Sequence, residues 1–294
     1  MPVYIWLLVT LITYRRSEFA SSFFSLVISL SINDMLFMVD HYWRSRLRYW
    51  GCLENFFAET AHMSGFGVWL ALSLYLGHFV AVLIIAINRY TAVAYRALND
   101  EKAILFEIWN NRRVCVAVAV EWMFPALLFS PLIQYGRFEV VKVNGSERTI
   151  SPYVYPQVLI FYYSLLSALL AVALVLCLSL YTASFRKIWL HTHRVNDPRK
   201  LSLLRKNTTV DESTLRTEYR LALIGAWLVM EMLLSLVTVS LMAFTGQYYD
   251  WAQLATATQH LMSLSNPYLV LAFCSDAREK FKQLFCRVGG PAQL

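Results

Sequence analysis

Charge is scarce in this chain. Acidic and basic residues together make up 15% of its 294 residues, where an ordinary soluble domain carries about a quarter. Hydrophobic residues fill 58%. A soluble fold of this size has no interior large enough for that excess, so the composition points to a bilayer as solvent. Thiols are few as well. The five cysteines are Cys52, Cys115, Cys177, Cys274 and Cys286, with no CxxC, and only Cys52 falls in a predicted outer loop. That argues against a disulfide framework and against a zinc site. The apolar start, Met1 to Thr13, runs straight into Tyr14-Arg15-Arg16 with no small-residue cleavage site, which argues against a cleavable signal peptide. There is no internal repeat and no Gly/Pro-broken pair of spans in matching halves, two features a secondary transporter would carry. There is also no nucleotide loop, nucleophile elbow or zinc-protease motif, so neither an enzyme nor a cofactor nor a metal is expected. The net charge of +7 does not point to nucleic acid, because the basic residues sit between long apolar runs and not on one face.

What is present is a series of long apolar segments. A helix needs about 20 residues to cross the hydrocarbon. Spans are read at roughly 1–16, 20–41, 65–91, 113–135, 154–185, 218–245 and 251–274. At about 1.5 Å per residue the first reaches only ~24 Å, short of a ~30 Å core, which points to a true start upstream or to a truncated, non-signalling product. With the N-terminus outside, the inner segments hold 20 Lys and Arg and the outer segments 6, a bias that favours N-out, C-in. The sequon Asn144-Gly145-Ser146 then falls in an outer loop, where Asn144 can be glycosylated, while Asn207-Thr208-Thr209 falls inside and stays bare. The segment 186–217 is long, basic and polar. After the last span, Ala277, Phe281, Leu284 and Phe285 recur at helical spacing with charges on the other face, an interfacial helix over 275–286. The expected fold class is all-α, a seven-transmembrane helix bundle with a short amphipathic eighth helix, forming one domain over 1–294.

Three short motifs stand in order on these spans: Leu30-Ser31-Ile32-Asn33-Asp34 in span two, Asn88-Arg89-Tyr90 at the end of span three, and Asn266-Pro267-Tyr268 in span seven. Together they resemble the signatures of rhodopsin-like receptors, as does Trp122 with Pro131 nine residues later. A narrower resemblance covers most of the chain. Pro2-x-Tyr4, Ser21-Ser22-Phe23, Asn88-Arg89-Tyr90-Thr91-Ala92-Val93, Glu107-Ile108-Trp109 and Asn266-Pro267-Tyr268 with Ser275-Asp276-Ala277-Arg278 are similar to nematode serpentine chemoreceptors of the class gamma superfamily, class V included. The resemblance implies a sensory receptor in a plasma or sensory-cilium membrane. Such a receptor binds a small external cue and signals through a heterotrimeric G protein, whose Gα C-terminal helix enters an inner cleft. The sequence departs from the rhodopsin-like pattern in several places. Asn88 stands where an acid is usual, Val270 where a Tyr is usual, span six has Trp227 but no Pro, span five lacks an internal Pro, and no Cys stands at the outer end of span three.

The resemblance assigns G-protein coupling to Asn88, Arg89 and Tyr90. The plain alternative for Arg89 is a positive-inside anchor that snorkels to the headgroups. With Asn at 88, Glu218 at the start of span six is the candidate carboxylate for Arg89. Asp34, His78, Glu231 and Asn266, with Pro267, fall mid-membrane, ~14–21 Å from the inner ends of their spans. Ionisable residues there cost at least ~2.5 kcal/mol and normally face the bundle or water. They form either structural glue or a polar hub that rearranges on activation. In rhodopsin-like receptors a small polar residue near His78 helps to hold a sodium ion with the helix-two Asp, so a His there implies an Asp34–His78 pair in its place. The rival reading is a transporter or channel that uses Asp34, His78 and Glu231 as an ion or proton path. Among the outer aromatics, Trp69, Tyr75, Phe161 and Tyr162 are candidate pocket residues, against the plain alternative of an interfacial belt. His191-x-His193 reads as a solvated loop. Cys286, beside the basic helix, fits either a palmitoylation site or an idle thiol.

Overall fold

The computed structural model describes residues 2–14, 22–43, 64–96, 109–143, 146–154, 156–195, 212–245 and 248–289. Eight principal helices appear among them: α1 Pro2–Thr13, α2 Ser22–His41, α3 Ser64–Arg96, α4 Asn111–Phe129, α5 Pro156–Val195, α6 Glu212–Thr245, α7 Tyr248–Phe273 and α8 Ser275–Gly289. A one-turn helix, Leu132–Tyr135, follows α4. The protein is a helical membrane bundle. Among the described residues five helical stretches are long and apolar enough to cross a membrane: Ser22–His41, Gly65–Ala94, Asn111–Tyr135, Gln157–Leu190 and Leu223–Thr245. α1 is apolar but has only 12 residues, about 18 Å of rise. α7 has 26 residues and is outside that set because its polarity is turned inward: Gln259, Ser263 and Asn266 are all buried.

α3 is the axis of the bundle and packs against α2, α4 and α5. Residues 72–79 are buried without a break, so every face of the helix is covered, as a helix that is hydrophobic all round requires. α4 is peripheral. Val116, Val120, Met123, Phe124 and Leu127 on its outer side are exposed, an apolar face that water would not tolerate and lipid does. α4 starts at Asn110, whose side chain caps the backbone N–H of Arg113 at 3.0 Å, a standard way to satisfy a free amide at a helix start. Among the described residues no cysteine pins the N-terminal end of α3. A close approach holds it instead: a Cβ on Gly65 would lie 2.3 Å from the Ile133 carbonyl oxygen, so only glycine admits the one-turn helix there.

α5 has 40 residues, about 60 Å of helix, and both α5 and α6 extend beyond the hydrophobic lengths read from the sequence. α8 packs on α1 and α7. Its residue Ala277 is fully buried and Phe281 half-buried, while Arg278, Glu279, Lys282 and Gln283 are exposed, an interfacial pattern. Lys280 Nζ lies 5.2 Å from the centroid of the Tyr14 ring, which ties α8 to α1. Between α4 and α5 the chain forms an antiparallel hairpin, β1 Gly136–Val143 with β2 Ser146–Val154, where the sequence reading expected only a loop. The reason is local. Runs carrying Val140, Val141 and Val143 on one side and Thr149, Ile150, Tyr153 and Val154 on the other flank Asn144-Gly145, a strong short-range hairpin signal. The hairpin sits against α3 and leaves the all-α bundle unchanged.

Candidate functional site

The centre of the bundle is organised by one carboxylate. Asp34 is fully buried on α2. Its Oδ2 accepts from the Tyr4 hydroxyl of α1 at 2.8 Å and from Asn266 Nδ2 of α7 at 2.7 Å. Its Oδ1 accepts from His78 Nδ1 of α3 at 2.7 Å and from Ser263 Oγ of α7 at 3.3 Å. A buried charge is tolerable only when paired and hydrogen-bonded, and here four donors from three other helices converge on it. Next to it, Asn33 Nδ2 donates to the Leu74 carbonyl at 2.9 Å and fixes α2 against α3. Pro267 follows Asn266 and brings no amide N–H, so the α7 ladder is interrupted beside the cluster.

Glu231 of α6 does not join this cluster by a hydrogen bond. Its Oε1 accepts from Trp227 Nε1, one turn earlier, and from Ser265 Oγ of α7. It therefore ties α6 to α7, one residue from Asn266.

The triplet lies toward the C-terminal end of α3, ten to twelve residues beyond His78. Asn88 Nδ2 donates to Ser22 Oγ at 2.9 Å. The guanidinium carbon of Arg89 stands 3.6 Å from the centroid of the Phe23 ring. Lys187 Nζ of α5 lies 5.0 Å from the centroid of the Tyr90 ring. Trp109, just ahead of α4, donates its indole N–H to Thr91 Oγ1 at 2.8 Å. α3 continues past Arg89 to Arg96. Glu218 belongs to α6, but its side chain lies outside the described residues, as do Asn144 and the side chain of Cys286.

Residues 1–286 match the family described as serpentine type seven-transmembrane GPCR chemoreceptor Srv. The chain belongs to the Srv family. A search of curated proteins gives no match. Srv proteins are chemoreceptors by that description and not an enzyme family, so the bundle is that of a multi-pass membrane receptor.

In this Srv receptor the four aromatic pocket candidates separate. Tyr75 is buried on α3, its ring 6.4 Å from Phe37 and 5.2 Å from Phe79. Tyr162 is buried against Phe129 at 5.8 Å. Phe161 is 60% exposed, on the same outward stripe of α5 as Val172 and Val175. Trp69 is half-buried and donates Nε1 to the Ala126 carbonyl at 2.7 Å. That bond ties α3 to α4. Among the described residues no group of three or more His, Cys, Asp and Glu is placed to hold a metal ion.

Sequence reasoning missed Glu121. It is 1% exposed on α4, accepts from Ser29 Oγ at 2.9 Å, and Ser29 in turn accepts from Trp122 Nε1 at 3.0 Å. An acid inside an apolar span is itself the signal. The neighbouring Trp122 carried the family motif and drew the reading. Tyr4, Ser263 and the buried Gln259 were missed too. A hydroxyl or amide in an apolar helix carries no mark of which carboxylate it will meet.

Proposed function

We propose that this Srv receptor senses a small external cue and activates a heterotrimeric G protein through the Arg89 end of α3. The observation that carries the reading is the placement of Arg89. It lies late on the central helix, eleven residues or about 16 Å beyond His78, the α3 residue that meets Asp34, in a chain that matches a chemoreceptor family from residue 1 to 286. A cue that binds two arrangements of the bundle unequally shifts the equilibrium between them. Asp34 and its donors from α1, α3 and α7 link those helices, so their relative positions change together. Separation of α6 from α3 opens a cleft at the Arg89 end that admits the Gα C-terminal helix, a helix-in-groove contact. The charge bias of 20 to 6 supports a topology with the N-terminus outside and the C-terminus inside a plasma or sensory-cilium membrane.

A second reading has its own observation. Glu121 Oε1 and Glu231 Oε2 are buried without a hydrogen-bond partner, as residues on a proton or ion path would be. Membership of a receptor family favours the first reading. Membranes containing the receptor, loaded with purified Gα heterotrimers and exposed to a panel of small volatile and water-soluble compounds, separate the two. The receptor reading predicts cue-dependent nucleotide exchange with no ion current. Current or flux without exchange contradicts it.

A further inference from the structure

Arg89 has no acid beside it in the triplet, because Asn stands at 88. In the structure both residues meet the first turn of α2. Asn88 Nδ2 donates to Ser22 Oγ at 2.9 Å, and the Arg89 guanidinium stacks on the Phe23 ring at 3.6 Å. Two adjacent residues of one helix therefore grip two adjacent residues of another. Phe23 is 5% exposed. The Phe24 ring packs against it edge-on, 5.3 Å away and inclined by 70°, which sets the plane of the ring whose face Arg89 occupies. A guanidinium is planar and weakly hydrated, so it stacks well on an aromatic face. Ser22 and Phe23 belong to a Ser-Ser-Phe motif that stands out in the sequence and has no part in the cluster around Asp34.

We propose that Ser22-Phe23 is a resting latch for the coupling residues: the Phe23 face positions Arg89 in the uncoupled receptor and releases it to the Gα helix on activation. The inference rests on the coupling role proposed for Arg89 and adds the residue that restrains it. Phe23 is a positioning residue, since it acts through Arg89. The latch and Asp34 lie on the same helix, eleven residues apart between Phe23 and Asp34, about 16 Å. A slide of α2 along α3 of the 1–2 Å kind common in switching bundles disturbs both at once, so a rearrangement at Asp34 loosens the latch. A cation on an aromatic face, from exposed to desolvated, is worth about three- to thirtyfold in a two-state equilibrium.

The test uses the full chain in lipid nanodiscs with purified Gα heterotrimers and a non-hydrolysable guanine nucleotide, with no cue added. Phe23→Leu keeps apolar bulk and removes the ring face. It is expected to raise basal exchange by about three- to thirtyfold. Phe23→Tyr keeps a ring face and stays well below Phe23→Leu. Ser22→Ala, which removes only the acceptor for Asn88, moves basal exchange in the same direction and serves if Phe23→Leu does not fold. Adding Arg89→Met to Phe23→Leu returns exchange to the level of Arg89→Met alone. A double-mutant cycle of Phe23→Leu and Arg89→Met on thermal unfolding is run beside it, and the latch predicts non-additive shifts. Basal exchange unchanged in Phe23→Leu and Ser22→Ala, with additive unfolding shifts and a receptor that still activates Gα, overturns the latch alone. Non-additive shifts with no exchange in any variant on any Gα overturn the coupling role, and the latch function with it.

Discussion

Asp34 accepts from Tyr4, His78, Ser263 and Asn266, and each donor removed leaves a buried charge less well held. A hydrogen bond to a charged group contributes about 1.5–3 kcal/mol, so Tyr4→Phe is expected to lower stability by about that amount. Asp34→Asn removes the charge and makes the same Tyr4 substitution much cheaper. His78→Leu and Asp34→Asn should each impair folding or signalling. The double variant should lose less than the sum of the two, because they share one interaction. Since His78 occupies the side of Asp34 where a cation would sit, stability should not respond to sodium. Thermal unfolding in detergent measures all of these, with a sodium titration alongside. Strict additivity of the Asp34 and His78 substitutions, or a sodium-dependent rise in stability, contradicts the pairing. At this scale, counting residues along each span could set Asp34, His78 and Asn266 at similar depth. It could not reveal which face of Phe23 meets Arg89 or that Tyr4 reaches Asp34, because those contacts depend on helix rotation and not on depth.

Helices α5 and α6 meet at a glycine. A Cβ on Gly225 would come within 2.1 Å of the Tyr181 ring, and Tyr181 is buried, so the ring cannot simply swing into open space. Gly225→Ala must push α6 from α5 or displace the ring. Overpacking of this kind costs typically about 1–3 kcal/mol. The expected outcome is a lower unfolding temperature, restored in part by Tyr181→Leu, which vacates the space. If Gly225→Ala unfolds as the unmodified receptor does, the close approach is not as described. The membrane helices were legible in the sequence because long apolar runs have few alternatives in a bilayer. α7 was harder, since its interior-facing Gln259, Ser263 and Asn266 dilute its apolar signal. Asn144-Gly145 signals the β1–β2 hairpin, but a segment between spans reads by default as loop. The surroundings of Trp69 and Phe161 were not legible for one reason: an aromatic on a membrane helix packs, belts or faces lipid according to a rotation that the sequence pattern leaves undetermined.

For the molecule as a whole, topology and coupling are the two claims that everything else serves. With the N-terminus outside, Asn144 is glycosylated and Asn207 is not. Glycosidase treatment of membrane-expressed Asn144→Gln and Asn207→Gln variants checks this, and a gel shift lost only in Asn207→Gln reverses the topology. The family match extends over almost the entire chain, so the receptor reading needs both the cluster around Asp34 and the Arg89 end to work within one molecule. The most direct measurement is cue-driven nucleotide exchange on Gα by Arg89→Ala and Arg89→Lys receptors, compared with the unmodified protein at matched surface expression. The account predicts that Arg89→Ala abolishes or strongly reduces exchange, and that Arg89→Lys restores it only in part, because an ammonium lacks the planar face and forked donors of a guanidinium. Undiminished exchange in Arg89→Ala would contradict it and leave Arg89 as a headgroup anchor.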